Sequence, residues 1–518
     1  MTVALAGMSL HTDNDNEGNW GGTDGADTYN VSIQGSNSES WQVSKNASET
    51  GTLTISSALN ASRGLFMLWM KSDLSYYYTD IIVELQSSSG NYKTFTIATA
   101  ALPEVSGDFH SIVLDYVNKG TETGTFVPAN LSVIRVTVDN SSSGNIRSVI
   151  NNWIDAMYYG PGLTVSGTTT GDKLFTEAAA IDQNGTNEYG ILENYSGIIY
   201  SQGDIDFSGT AQTSDGETLV FKQTTNGYDT YNLDITGTVD WVGSNVLASG
   251  TAKVNLDATS ATSFSMLGGT LKNIGALTLV SGQTFDGVVA TSVDSSSIAN
   301  DPVGTTWNQS GLITLTATGS LEGCTLYEPT GALAVSVNTL DDLDGCIITS
   351  DGTGHVAELT ITADGTQGWN CNDSGYAATD GSTGNETLKV NITSPDVLTI
   401  NVAAGATTPT IYKVGTGTVD VVSGLIDLEV TVLDDSTGLG INLAHVRLMK
   451  ESDKSVLISK ATNSSGYAKE SITYDADTDV VGWARQMDLL GTDYEQKDFS
   501  GQYTANGFSI TVRLTPIS

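Results

Sequence analysis

Asp341, Asp342 and Asp344 sit within four residues of one another and are the side chains best placed, by type and spacing, to do chemistry. Two carboxylates about 5–9.5 Å apart suffice for glycoside hydrolysis, one as acid and the other as base or nucleophile. Asp364 and Asp373 follow nearby in sequence. Acids are equally the ordinary residues of turns between strands, where they bond backbone N–H groups. That competing reading takes all of them out of chemistry. A second constellation, Asp13, Asp15 and Glu17 before Gly18, with Asp24 beyond, falls near the order of a calcium loop. Alternate side chains of a tight loop converge there on one hard cation. Its last position is Asp rather than a bidentate Glu and no helical pattern flanks it, so an acidic surface turn is the expectation, calcium is the alternative, and no other cofactor is expected. Trp20, Tyr76, Tyr77 and Tyr78 lie among polar residues and offer flat faces for stacking on sugars, whereas Trp41 and Trp69 lie in apolar alternation and belong in a core. His11, His110, His355 and His445 are scattered, and no Ser-His-Asp order, HExxH phrase, phosphate loop or CxxC is present. The expectation is a chain without a catalytic centre.

These side chains must be positioned by strands. Of 518 residues, 39% are hydrophobic and only 15% charged, while runs of Ala, Leu, Glu and Lys are almost absent. Short alternating segments recur instead, such as Leu428-Glu429-Val430-Thr431-Val432 and Ile510-Thr511-Val512-Arg513-Leu514. The class is all-β. Leu321-Glu322-Gly323-Cys324-Thr325 returns 22 residues later as Leu343-Asp344-Gly345-Cys346-Ile347. A period of that size suits one coil of a β-solenoid, each turn burying its apolar face against its neighbours. The alternative is a string of small antiparallel sandwiches. Cys324, Cys346 and Cys371 all fall in this stretch; a stack of buried thiols in adjacent rungs explains the first two better than a disulfide or a metal.

The net charge of −38, from 59 acids and 21 bases, repels phosphate backbones and anionic lipid, which excludes nucleic acid as a partner. No segment approaches the roughly 20 apolar residues of a membrane span. The opening Met1-Thr2-Val3-Ala4-Leu5-Ala6 has no basic leader or long apolar run, so manufacture in a cytoplasm and exposure by another route, such as lysis, is expected. Gly160-Pro161-Gly162 punctuates the chain. The expected domains are a jelly-roll-like sandwich at 1–162, the β-solenoid (β-helix) at 163–424 and an Ig-like sandwich at 425–518.

Trp153-Ile154-Asp155-Ala156-Met157-Tyr158-Tyr159 resembles the last strand of jelly-roll carbohydrate-binding modules. Leu428–Val432, then Ile441 to Leu448 and Thr462 to Ala468, resemble the immunoglobulin-like fold of carboxypeptidase-regulatory-like domains, with a strand, a tight turn, Ala-x-Val-x-Leu and Thr-x-x-x-Gly in order. Gly482-Trp483-Ala484-Arg485 and Asp498-Phe499-Ser500-Gly501 look like the C-terminal end of virion proteins from tailed bacteriophages. The combination resembles tail fibres, tailspikes and head decorations of those phages. That resemblance implies a non-enzymatic homo-oligomer, a trimer by preference, on the virion exterior, made in the host cytoplasm, with other virion proteins and a host surface glycan as partners. Capsid decoration is its first alternative and a polysaccharide-degrading hydrolase its second.

Overall fold

The computed structural model describes residues 2–12, 20–21, 26–29, 37–44, 47–59, 64–72, 80–98, 109–139, 149–169, 171–184, 188–316, 318–474, 477–486, 493–504 and 506–517. It is all-β, with one α-helix, Leu174–Asp182, among the described residues. No helix there is long and apolar enough to cross a membrane. Contacts divide the chain into two compact units, Met1–Gly311 and Leu312–Ser518.

The first unit opens with two antiparallel sheets. One runs His110–Leu114, Leu65–Ser72, Val149–Gly160, Asn37–Ser44, Ala26–Tyr29; the other runs Thr121–Thr123, Asn91–Ala98, Asp80–Ser88, Leu131–Asp139, Ser48–Leu59, Trp20–Gly21. Period-two alternation sends Ile81, Val83 and Leu85 inward from one strand and Ile134, Val136 and Val138 from its neighbour, and these meet Phe66, Leu68 and Ile154 of the other sheet in one core. Trp69 is buried too, but on the opposite face of its strand from Phe66 and Leu68 and outside that core, where its indole N–H donates to the Glu188 carbonyl at 2.8 Å.

Beyond Gly160 three parallel ladders begin, alongside an antiparallel hairpin, Leu192–Tyr195 with Ile198–Ser201. One ladder stacks Ile198–Ser201, Thr218–Phe221, Asn245–Ala248, Thr270–Leu279, Val289–Ile298 and Thr306–Asn308, in a register that aligns Ile199, Leu219, Val246, Leu271, Ala290 and Trp307 as one buried column. A second stacks Gly162–Thr168, Asp204–Phe207, Thr230–Ile235 and Lys253–Asp257, then the far halves of the same long strands. Asn273 and Ser292 take left-handed φ of 58° and 54°, which bends those strands so that each half serves a different ladder. The third ladder, Gln212–Asp215 to Thr284–Asp286, aligns Trp241, Met266 and Phe285. The helix lies on this interior: Phe175 packs 5.9 Å from Phe207 and 5.6 Å from Trp241, and Glu217 caps its first turn by accepting the Phe175 and Thr176 N–H groups, both at 2.9 Å. At its other end, buried Asp182 accepts the Leu192 N–H at 2.9 Å, and desolvation pushes its carboxyl up to about 8.

The second unit repeats the scheme. Leu312–Leu315, Leu333–Ser336, His355–Ile361, Leu388–Ile392 and Ile411–Val414 form one parallel ladder, and Thr325–Tyr327, Ile347–Thr349 and Asn372–Ser374 another. Thr325 lies opposite Ile347, so the 22-residue echo is the register of one rung on the next. Cys324, Cys346 and Cys371 are buried free thiols stacked in three successive rungs, one more than the echo predicts. Burial raises the Cys346 thiol and pushes that of Cys371 up to about 12, so both stay protonated; their S–H groups donate to the Leu321 and Leu343 carbonyls. A third ladder, Gly365–Trp369, Val397–Ala403 and Thr418–Asp434, runs on without a break. The 17-residue last strand leaves it to pair with Tyr467–Thr473 and Phe508–Leu514. Residues 424 and 425 therefore lie inside one strand. A four-stranded sheet, Val456–Ala461, His445–Lys450, Thr478–Gln486, Tyr494–Tyr503, closes over it around Leu428, Val430, Val446, Leu448 and Val480.

Candidate functional site

The aspartates 341, 342 and 344 lie on a 3₁₀ turn, Leu340–Leu343, whose two leucines are buried and fix its orientation. Thr339 precedes it with extended backbone and starts a capping box. The Asp342 carboxylate accepts the N–H groups of Asn338 and Thr339 on one oxygen, Oδ2, each at 3.0 Å, and so closes its own turn. Asp341 is exposed; a Cβ on Gly368 would fall 2.3 Å from its Oδ1, so the glycine lets this carboxylate sit against the next strand. Asp344 is half-buried, and burial, then the negative charges of Asp341 and Glu322, raise its carboxyl above the usual range while Lys469 opposes the shift. Asp364 accepts the Val397 N–H at 2.8 Å, and Asp373 accepts the Thr387 hydroxyl at 2.7 Å and that of Thr407, so both brace neighbouring rungs.

Asp13, Asp15, Glu17, Asp24, Tyr76, Tyr77 and Tyr78 lie outside the described residues, as does the side chain of Trp20, whose backbone pairs with Leu53. Among the described residues, no three His, Cys, Asp or Glu side chains converge as a metal site requires.

The structure gathers a second set of side chains that the sequence pattern does not bring together. Glu358, Lys389 and Tyr412 occupy one register position on three successive strands. Each falls at an outward position between buried neighbours: Ala357 and Leu359, Leu388 and Val390, then Ile411 before Tyr412. Lys389 Nζ lies 3.1 Å from Glu358 Oε2, while Asn391 Nδ2 donates to Glu358 Oε1. The Asn391 bond, then Lys389, holds the Glu358 carboxyl below its ordinary range. His355 Nδ1 lies 2.6 Å from the Glu386 carbonyl, which only accepts, so Nδ1 carries the proton. Its ring stacks on Tyr412 with centroids 5.5 Å apart and planes within 15°. His355, Glu358, Lys389 and Tyr412 line a groove of about 490 Å³, edged by Gly331, Gly354 and Gly384. None of the three clustered aspartates lines it. The spacing from Glu358 to Lys389 differs from that between Lys389 and Tyr412, because intervening loops differ in length, so no fixed sequence period announces the column. The one available signal is the outward position of each in its own strand.

No family model matches the chain, and no curated protein matches it. Among solved structures, a family 11 carbohydrate-binding module from Clostridium thermocellum in complex with a β-1,3-1,4-mixed-linked tetrasaccharide aligns over 30% of this chain and 95% of its own length, at 11% identity and a TM-score of 0.21. The catalytic domain of a GH87 α-1,3-glucanase in complex with nigerose aligns over 80% of this chain and 97% of its own, at 8% identity and a TM-score of 0.19. At TM-scores of this size neither likeness bears on what this chain does.

Proposed function

We propose that this chain is a rigid structural protein of a tailed-phage virion exterior, a fibre or spike that contributes to attachment at the host surface. On this reading residues 163–424 are a β-solenoid shaft between a jelly-roll-like sandwich and an Ig-like one. The observation that supports it is the set of in-register apolar columns, such as Ile199, Leu219, Val246, Leu271, Ala290 and Trp307. Each rung buries its inner face only against the rungs beside it, so stiffness grows with the number of rungs and demands no separate core. Thr2–Ala6 pairs antiparallel with Gly162–Thr168, and the helix covers the interior beside it. Both shield a ladder end that would otherwise pair with other chains. The acidic surface keeps such a particle component soluble at high local concentration.

Immunogold labelling of intact particles with antibodies against residues 425–518 and 1–160 tests this. Label at the tail is the expected result, label spread over the head turns the assignment to capsid decoration, and no label with either antibody sinks the virion reading.

A polysaccharide hydrolase is the second reading, favoured by the raised Asp344 carboxyl beside Asp341. Loss of depolymerase activity in Asp341→Asn and Asp344→Asn, with assembly intact, would support it. A wild-type chain inactive on every host glycan would remove it.

A further inference from the structure

We propose that the groove lined by His355, Glu358, Lys389 and Tyr412 binds a neutral oligosaccharide, seating one pyranose ring against the histidine–tyrosine stack. The proposal concerns residues 331–412 alone and does not depend on where the chain resides.

The polar half of the groove suits hydroxyls. A sugar hydroxyl both donates and accepts, and the groove offers an acceptor and a donor held 3.1 Å apart, the Glu358 carboxylate and the Lys389 ammonium. Lys389 has three N–H bonds and gives one to Glu358, which leaves two for a ligand. Two adjacent hydroxyls of one ring can therefore be taken together, one donating to Glu358 and one accepting from Lys389. These bonds are charge-assisted and stronger than neutral ones.

The apolar half suits a ring's C–H face. Tyr412 is half-buried and His355 backs it, so the phenol is held flat by packing rather than by the ligand. The Glu386 carbonyl fixes the imidazole, and Asn391 with Lys389 fixes the carboxylate. A site held this way loses little side-chain freedom on binding.

Glycine lets the groove's rim turn through positive φ. Gly331 and Gly384 have φ of 102° and 78°, where other residues are strained, and a Cβ on either would meet nothing within 4 Å. The rim at both points is bare backbone facing free space.

Charge selects the ligand. The Glu358–Lys389 pair sums to zero, and the field of a chain at −38 repels polyanions before they arrive. Uronic-acid polymers, nucleotides and phosphorylated glycans are thereby disfavoured against uncharged hexose chains.

The test uses the full chain and saturation-transfer NMR with calorimetry. The probes are neutral hexose oligosaccharides (β-glucan, α-glucan, galactan and mannan series), with oligogalacturonate as the anionic control. At least one neutral series should bind and oligogalacturonate should not. Tyr412→Ala and Lys389→Met should each weaken binding at least tenfold, while Tyr412→Phe, which keeps the ring, should stay within about threefold of wild type. Circular dichroism melts establish that each variant is folded; if Tyr412→Ala is not, Lys389→Met with Tyr412→Phe decides. Absence of binding by every neutral series overturns the proposal, and so does binding that survives in a folded Lys389→Met. Sugar binding without virion label leaves this proposal standing, and virion label without sugar binding leaves only the virion reading.

Discussion

Asp342 and Glu358 are half-buried carboxylates of the same unit, sixteen positions apart, with opposite employment. Asp342 accepts two backbone N–H groups from residues three and four positions before it, so its charge closes its own turn. Glu358 is held by Lys389 and Asn391, both on the next strand of the ladder, and faces a groove. Asp342 is within reach of the backbone amides of its own turn and is taken up by them. An acid that waits for a partner from another rung keeps a lone pair toward solvent. Density of carboxylates along the chain is therefore a poor guide to chemistry in this fold, and register is a better one.

Four substitutions separate the two employments, beginning with the largest effect. Leu343→Ala empties a fully buried position beneath the acid turn and should cost about 2–5 kcal/mol in chemical denaturation. It should unfold the rung cooperatively; a change under about 1 kcal/mol would mean the turn is not anchored from inside. Asp342→Ala removes the capping box and should cost about 1 kcal/mol, with sugar binding unchanged. If binding fell with stability intact, the division between turn and groove would be wrong. Glu358→Gln should do the reverse, weakening neutral-sugar binding severalfold while shifting the melting temperature little, because an ion pair a third exposed contributes little to stability. Asp344→Asn should have the smallest effect and a pH signature. The folded Asp344 carboxyl is raised, so the fold binds its proton more tightly than the unfolded chain does. Its stability is fully present below the unfolded carboxylate range of about 4 and is lost as pH rises through the raised value. The asparagine variant should therefore melt higher than wild type at pH 7, with the gap closing towards about pH 3. A gap that widens on acidification would contradict the assignment.

Asp434 provides the opposite sign within the same unit. Its carboxylate accepts from Ser436 N–H at 2.8 Å, the Ser436 hydroxyl at 2.6 Å, Thr437 N–H at 2.8 Å and the Tyr494 hydroxyl at 2.7 Å, which holds it far below the usual range. The stability it adds is present above the unfolded carboxylate range of about 4 and is lost progressively as pH falls from there through the lowered folded value.

Much of this was legible in the sequence for definite reasons. Alternation in Leu428–Val432 places Leu428, Val430 and Val432 in a core because side chains of a strand point to opposite faces with period two. The 22-residue echo marks parallel pairing because stacked rungs repeat the same inward positions, and Cys324 over Cys346 follows from it. Cys371 escaped because the loop before it lengthens that rung and breaks the period. The groove escaped for the same reason: Glu358, Lys389 and Tyr412 are ordinary outward residues until register aligns them.

By itself the sequence determined the strand class, the acidic exterior and the turn acids, since these depend on side-chain period, charge and amides a few residues away. Only the tertiary structure decided which outward residues share a column. Parallel register is set by how whole rungs pack their buried faces, and loops of unequal length remove any trace of it from residue numbering.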